Sequence, residues 1–202
     1  MSWKFFGWEQ ADAPAVNEEY IKIKDPRMMY DILNEIWCEY TCAPRMRMLW
    51  SEENKTLGQC SITGFLAQDV FGGKVFGILR SGGNYHCYNY AGGCVFDLTS
   101  EQFGDEVLDY TDNPEQFREV HFEKTEKKER YEYLREEFRK KVKDIRCKVK
   151  TIYEEEYGCE GIPEDGEPMC RVLIEYEDGT ERWVKISDRY LTENNISEGC
   201  II

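Results

Sequence analysis

Cys60, His86 and Asp97 are the side chains whose types and order could do nucleophilic chemistry. Gly58-Gln59-Cys60 lies where a polar loop gives way to an apolar helical pattern, Ile62, Phe65, Leu66 and Val70. The thiol therefore falls at a helix N-terminus. Unpaired main-chain N–H groups and the positive end of the helix dipole favour thiolate there. The same N–H groups can hold the oxyanion of an acyl tetrahedral intermediate, and Gln59 could add a side-chain donor. The alternative reading, Cys60 as a small buried hydrophobe, stays open at this point.

The base for such a thiolate is almost forced, because the chain has only two histidines. His86 stands in a strand pattern among Tyr85, Cys87 and Tyr88. His121 falls in a polar linker and is read as a surface residue. Asp97 lies between Phe96 and Leu98 in the next strand pattern, where an unpaired carboxylate would be costly to bury. If Gly92-Gly93 is a two-residue hairpin loop, Ala91 faces Cys94 and Tyr88 faces Asp97. His86 and Asp97 then share a face as diagonal neighbours. Asp97 would hold the Nδ1 proton and orient the ring, the role of a triad's third member. Two unrelated inward polar residues would satisfy the same parity. Trp50 and Asn54, in the loop before Cys60, and Tyr88, on the His86 face, could line a substrate cleft. Packing and turn roles are the alternatives for all three. Thr99 and Gln102 read as turn caps.

The elements that must position these groups follow from pattern. Residues 1–24 are an irregular aromatic arm, with Trp3, Phe5, Phe6 and Trp8 packing back on the body. Asp25-Pro26 opens a helix by cap oxygen and pre-set φ, carrying Met29, Ile32, Leu33, Ile36, Trp37 and Tyr40, with Pro44 as the stop. Residues 44–58 are a loop. The helix from Gln59 or Cys60 to Phe71 ends at Gly72-Gly73. Strands are expected at 74–80, 85–90 and 94–98, and a charged helix at 122–145. A small, barrel-like antiparallel β module is expected at 146–202, with an acidic loop at 154–168 and a hairpin at Asp178-Gly179. The fold class is α+β, with a domain at 1–145 and the module at 146–202.

The whole-chain numbers narrow the function classes. With 202 residues and 41% hydrophobic content, the chain can bury a core without staples. Its net charge of -14 makes it an acidic protein that disfavours nucleic acid and anionic membranes and leaves a basic partner open. No apolar run is long enough to span a bilayer, and residues 1–10 lack a signal-peptide pattern. Gly199-Cys200-Ile201-Ile202 leaves too few residues after the cysteine for prenylation. Nine cysteines without a secretory signal read as free thiols in a reducing, cytoplasmic setting. Cys38 and Cys42, at helical spacing, could meet. No Cys-x-x-Cys occurs, so no metal site and no cofactor is expected.

One further pattern joins these residues. Trp50-Ser51-x-x-Asn54, Gly58-Gln59-Cys60-x-x-Thr63, Gln68-Asp69-x-Phe71-Gly72-Gly73, His86-x-Tyr88-Asn89 and Asp97-Leu98-Thr99-x-x-Gln102-Phe103 occur in order. The run resembles the YunG-like family of bacterial proteins over residues 28–145. That family looks like a compact relative of the papain-like and transglutaminase-like superfamily, with a cysteine at a helix start and histidine and aspartate on successive strands. The resemblance implies a Cys60–His86–Asp97 triad and acyl transfer through a thioester, by a thiol protease or amidase acting on a peptide or amide, or by a transglutaminase-type transferase. The alternatives are a catalytically inactive papain-like scaffold that binds a protein partner, and a redox-sensing thiol with Cys87 as resolving partner.

Overall fold

Asp25 caps the first helix as its sequence dictates. Its carboxylate accepts from the main-chain N–H groups of Arg27 and Met28 at 2.9 and 3.0 Å, and Pro26 opens α1 (Pro26–Ile36). The structure, a computed structural model, describes residues 4–155 and 167–202. Trp3 of the expected arm and most of the acidic loop at 154–168 lie outside the described residues. α1 ends at Ile36, a turn earlier than the apolar spacing to Tyr40 suggests. The Thr41 hydroxyl is the local competitor: it accepts from the Cys38 N–H at 3.0 Å and donates to the Cys38 carbonyl at 2.8 Å. The following loop contains a short 3-10 helix at Pro44–Leu49.

The chain divides into two compact units, one formed by 1–17 and 23–141, the other by 18–22 and 142–202. In the first, α2 (Cys60–Phe71) is the central element. Ile62, Phe65, Leu66, Ala67 and Val70 are buried around most of its circumference, the pattern of a helix enclosed by its own domain. It packs on an antiparallel sheet of β1 (Lys74–Leu79), β2 (Tyr85–Ala91) and β3 (Cys94–Phe96), in that order. Gly92 and Gly93, at φ 58° and 81°, supply the two left-handed residues of the hairpin turn, and Ala91 pairs with Cys94 as expected. The sheet is extended at both edges. Phe6 bridges to Asp97 just beyond β3, and Glu115 bridges to Phe76 of β1. α4 (Thr125–Asp144) is the expected charged helix, and a short α3 (Arg118–Phe122) precedes it. Arg118 and the Tyr131 hydroxyl both bond the Asp69 carboxylate, tying α3 and α4 to α2.

The second unit is an open three-stranded antiparallel sheet, β4 (Cys147–Glu154), β5 (Met169–Tyr176) and β6 (Glu181–Ser187), followed by α5 (Asp188–Glu193). Among the described residues it does not close into a barrel. Strand alternation sends Cys170, Val172, Ile174 and Tyr176 of β5 inward. Gly179, at φ 78°, makes the β5–β6 turn, where Asp178 accepts from the Thr180 N–H at 2.9 Å. Ile202 pairs with Cys147 along the outer edge of β4, donating to its carbonyl at 2.9 Å and accepting from its N–H at 3.1 Å. Among the described residues, no helix is long and apolar enough to cross a membrane, and no His/Cys/Asp/Glu group could hold a metal ion.

Candidate active site

Gly58 sets the entry of α2. Its φ of +70° is open to glycine, and a Cβ there would come within 2.8 Å of the Cys42 sulfur and 3.0 Å of the Ala43 nitrogen. The tight approach is held by the Ala43 N–H donating to the Gly58 carbonyl at 3.0 Å. Cys60 follows as the first helical residue. No side chain caps the helix, so the first-turn N–H groups keep no internal acceptor. The Cys60 residue is half-buried.

His86 and Asp97 are buried, at 2% and 1% exposure, and the His86 Nε2 lies 2.5 Å from the Asp97 Oδ2. Sequence parity brings this pair together, but the nitrogen differs from the expected one. Asp97 takes Nε2, because its backbone is drawn past the end of β3 to donate to the Phe6 carbonyl at 3.0 Å. His86 Nδ1 is left buried without a hydrogen-bond partner, and it is the nitrogen available to Cys60. The carboxylate is fully engaged. Its Oδ1 accepts from the Thr99 N–H and hydroxyl at 3.0 and 3.1 Å, and its Oδ2 also accepts from the Tyr110 hydroxyl at 3.0 Å. Four donors are what a buried carboxylate needs. Phe103 packs edge-on against the imidazole, with centroids 4.6 Å apart.

The electrostatics follow from these contacts. The neighbouring Cys87 thiol draws Cys60 toward thiolate; burial opposes this, and His86 reinforces it, leaving the Cys60 pKa well below its ordinary value. For His86, burial favours the neutral ring, but the Asp97 carboxylate and Cys60 outweigh it and push the pKa up to about 10. The favoured state is a thiolate beside an imidazolium, with Asp97 holding the far side of the ring.

The other candidate residues make the following contacts. Gln59 is fully buried, and its Nε2 donates to the Cys38 carbonyl at 3.2 Å, so its side chain is turned to the core and not toward an oxyanion. Trp50 donates to the Lys55 carbonyl at 3.1 Å, and Asn54 closes a turn with Ser51, so both make their hydrogen bonds within the loop. Tyr88 donates to the Tyr110 carbonyl at 2.9 Å and meets the Tyr110 ring edge-on, fixing the tyrosine that reaches Asp97. Asn89, on the other face, donates to the Gly64 carbonyl at 2.8 Å and ties β2 to α2. The Trp37 indole donates to Thr63 at 3.1 Å.

Three groups escaped the sequence reading. Tyr110 has no local motif, and only the unmet acceptors of a buried Asp97 ask for it. Gln102 is more than a turn cap: it accepts from the Gly58 N–H at 3.4 Å and donates to the Thr99 carbonyl at 2.8 Å, joining the segments before Cys60 and after Asp97. His121 is not a surface residue. It is half-buried on α3, edge-on to Phe65, with Nε2 3.1 Å from Gln116 Oε1 and Nδ1 3.0 Å from the Lys127 ammonium. Burial and then the Lys127 charge press its pKa down to about 4, so the ring is neutral at pH 7.

Residues 25–143 match the family described as YunG protein. The chain belongs to the YunG family. A relative from Bacillus subtilis (strain 168), named "Uncharacterized protein YunG", is 34% identical over 114 residues, which cover 56% of this chain and 91% of the relative. No solved structure matches the chain. The matched span of this YunG-family chain contains Cys60, His86, Asp97, Tyr110 and Gln102, whereas the sheet β4–β6 lies beyond it.

Proposed function

We propose that the chain is a papain-like or transglutaminase-like cysteine hydrolase that cleaves an amide through a thioester. The observation that carries this reading is the two-sided arrangement of His86. Nε2 is fixed on a fully engaged carboxylate, and Nδ1 is buried without another partner beside a thiol at an uncapped helix start. The order of cysteine, histidine and aspartate on a helix start and two successive strand segments also supports it.

The steps follow from the groups present. The Cys60 thiolate attacks the acyl carbon, and the oxyanion is met by first-turn N–H groups of α2. The Nδ1 proton of His86 passes to the departing amine, leaving an acyl-thioester on Cys60. Nδ1 then takes a proton from water, hydroxide attacks the thioester, and the thiolate leaves. Asp97 keeps the ring oriented through both half-reactions, with Tyr110 and Thr99 orienting Asp97 in turn. Water is the simplest acceptor; an amine in its place would give a transferase. The free thiols Cys38, Cys42, Cys60 and Cys87 suit a reducing cytoplasm.

The test is acyl-enzyme trapping. Full-length protein mixed with an activated acyl ester should release one burst equivalent of alcohol and carry the acyl group on Cys60 by peptide mass. His86→Ala should slow the burst by about 10²-fold or more. Absence of acylation at Cys60 would leave the same fold as an inactive scaffold for a protein partner.

A further inference from the structure

Cys87 is a buried thiol that the proposed mechanism does not use. It follows His86 on β2, so strand alternation turns it to the opposite face, the one that α2 covers. A Cβ on Gly64 would lie 3.5 Å from the Cys87 Cβ. Cys60 stands four residues before Gly64, one helical turn away on the same stripe. The Cys60 and Cys87 side chains are hydrogen-bond partners, and each dominates the other's protonation: Cys87 favours thiolate at Cys60, and Cys60 keeps the proton on Cys87. The pair is asymmetric in exposure: Cys60 is half-buried, while Cys87 is 1% exposed.

We propose that Cys60 and Cys87 are a hydroperoxide-oxidised dithiol that closes to an intramolecular disulfide, with Cys60 as the attacking and Cys87 as the resolving sulfur. The Cys60 thiolate attacks the distal oxygen of the hydroperoxide. The O–O bond breaks, the alkoxide takes a proton and leaves as alcohol, and Cys60 becomes a sulfenic acid. The Cys87 sulfur then attacks the Cys60 sulfur. The S–O bond breaks, hydroxide takes the Cys87 proton and leaves as water, and the S–S bond forms. Two thiols lose two electrons and two protons, and the hydroperoxide is reduced to alcohol and water. The disulfide occupies the nucleophile and spares it from irreversible over-oxidation until a dithiol reductant reopens it.

This inference rests on the thiolate reading of Cys60 but not on hydrolysis. Full-length protein is treated with stoichiometric hydrogen peroxide, alkylated, digested without reduction and mapped by mass. The wild type should give a Cys60–Cys87 linked peptide, and its Cys60 alkylation should fall about tenfold and return with dithiothreitol. Cys87→Ser and Cys87→Ala should give no linked peptide and accumulate sulfenic and then sulfinic acid at Cys60, and their unoxidised Cys60 should alkylate more slowly than in the wild type because Cys87 no longer favours its thiolate. Wild-type Cys60 reaching sulfinic acid without the link, or linking to another cysteine, overturns the dithiol. If untreated Cys60 also fails to alkylate at pH 6, the thiolate reading has failed as well.

Discussion

At the scale of residues, the pair Cys60–His86 shares one proton in a way that stability can reveal. Unfolded, the two titrate near about 8.5 and 6.5. Folded, Cys60 titrates well below its ordinary value and His86 at about 10. Between about pH 6.5 and 8.5 each state of the chain binds one proton on this pair, on cysteine when unfolded and on histidine when folded, so the pair contributes no slope. Below that window the unfolded chain binds more protons and stability falls with falling pH. Above it the folded chain binds more, and stability falls as pH rises toward about 10. In Cys60→Ser only the raised His86 remains, bound to Asp97. Its contribution is full below about pH 6.5 and is lost as the pH rises through its folded pKa. Urea titrations from pH 6 to 9 should therefore show the variant losing stability relative to the wild type as pH rises from about 6.5. A constant difference across that range would contradict the shared-proton account. This pairing was legible in residue types and strand parity. The choice of Nε2 over Nδ1 was not, because it depends on where the chain leaves β3 to meet Phe6, a contact across more than ninety residues.

At the scale of elements, the site depends on how α2 begins. Gly58→Ala would place a Cβ against Cys42 and Ala43 at a positive φ, and should destabilise the protein by roughly 1–3 kcal/mol. Denaturant unfolding checks the cost, and a lower rate of Cys60 alkylation at pH 6 in the folded variant checks the displacement. A near-neutral substitution would show that the entry turn is not strained. Helix caps, the Gly-Gly hairpin and the apolar stripe of α2 could all be read from local sequence, since each is decided within a few residues. The end of α1 could not, because Thr41 bonding to Cys38 competes with an apolar pattern that continues to Tyr40. His121 was misread for a related reason: a histidine in a charged stretch is buried only when Phe65 and Gln116 arrive from other elements.

At the scale of the whole molecule, every group named in the site comes from the first unit, and the second has its own sheet and core. Ile174, fully buried on β5, belongs to that second core. Ile174→Ala should cost about 2–5 kcal/mol locally. Hydrogen exchange should quicken at β4–β6 amides while Cys60 keeps its alkylation rate. Loss of Cys60 reactivity in step with that exchange would contradict the assignment of the site to the first unit alone. The sequence pattern showed two compositional regimes, but not that residues 18–22 join the second unit, since that short segment is set by distant contacts such as Lys22 donating to the Ile145 carbonyl at 2.8 Å.

The central claim is a thiolate at Cys60 favoured by Cys87 and by His86. Peptide-resolved iodoacetamide labelling of native wild type and His86→Ala from pH 5 to 9 tests it most directly. The account predicts that wild-type Cys60 labels fast well below the ordinary cysteine pKa of about 8.5, and that His86→Ala shifts its profile toward that value. Wild-type labelling that rises only near the ordinary pKa, or is unchanged by His86→Ala, would contradict the account.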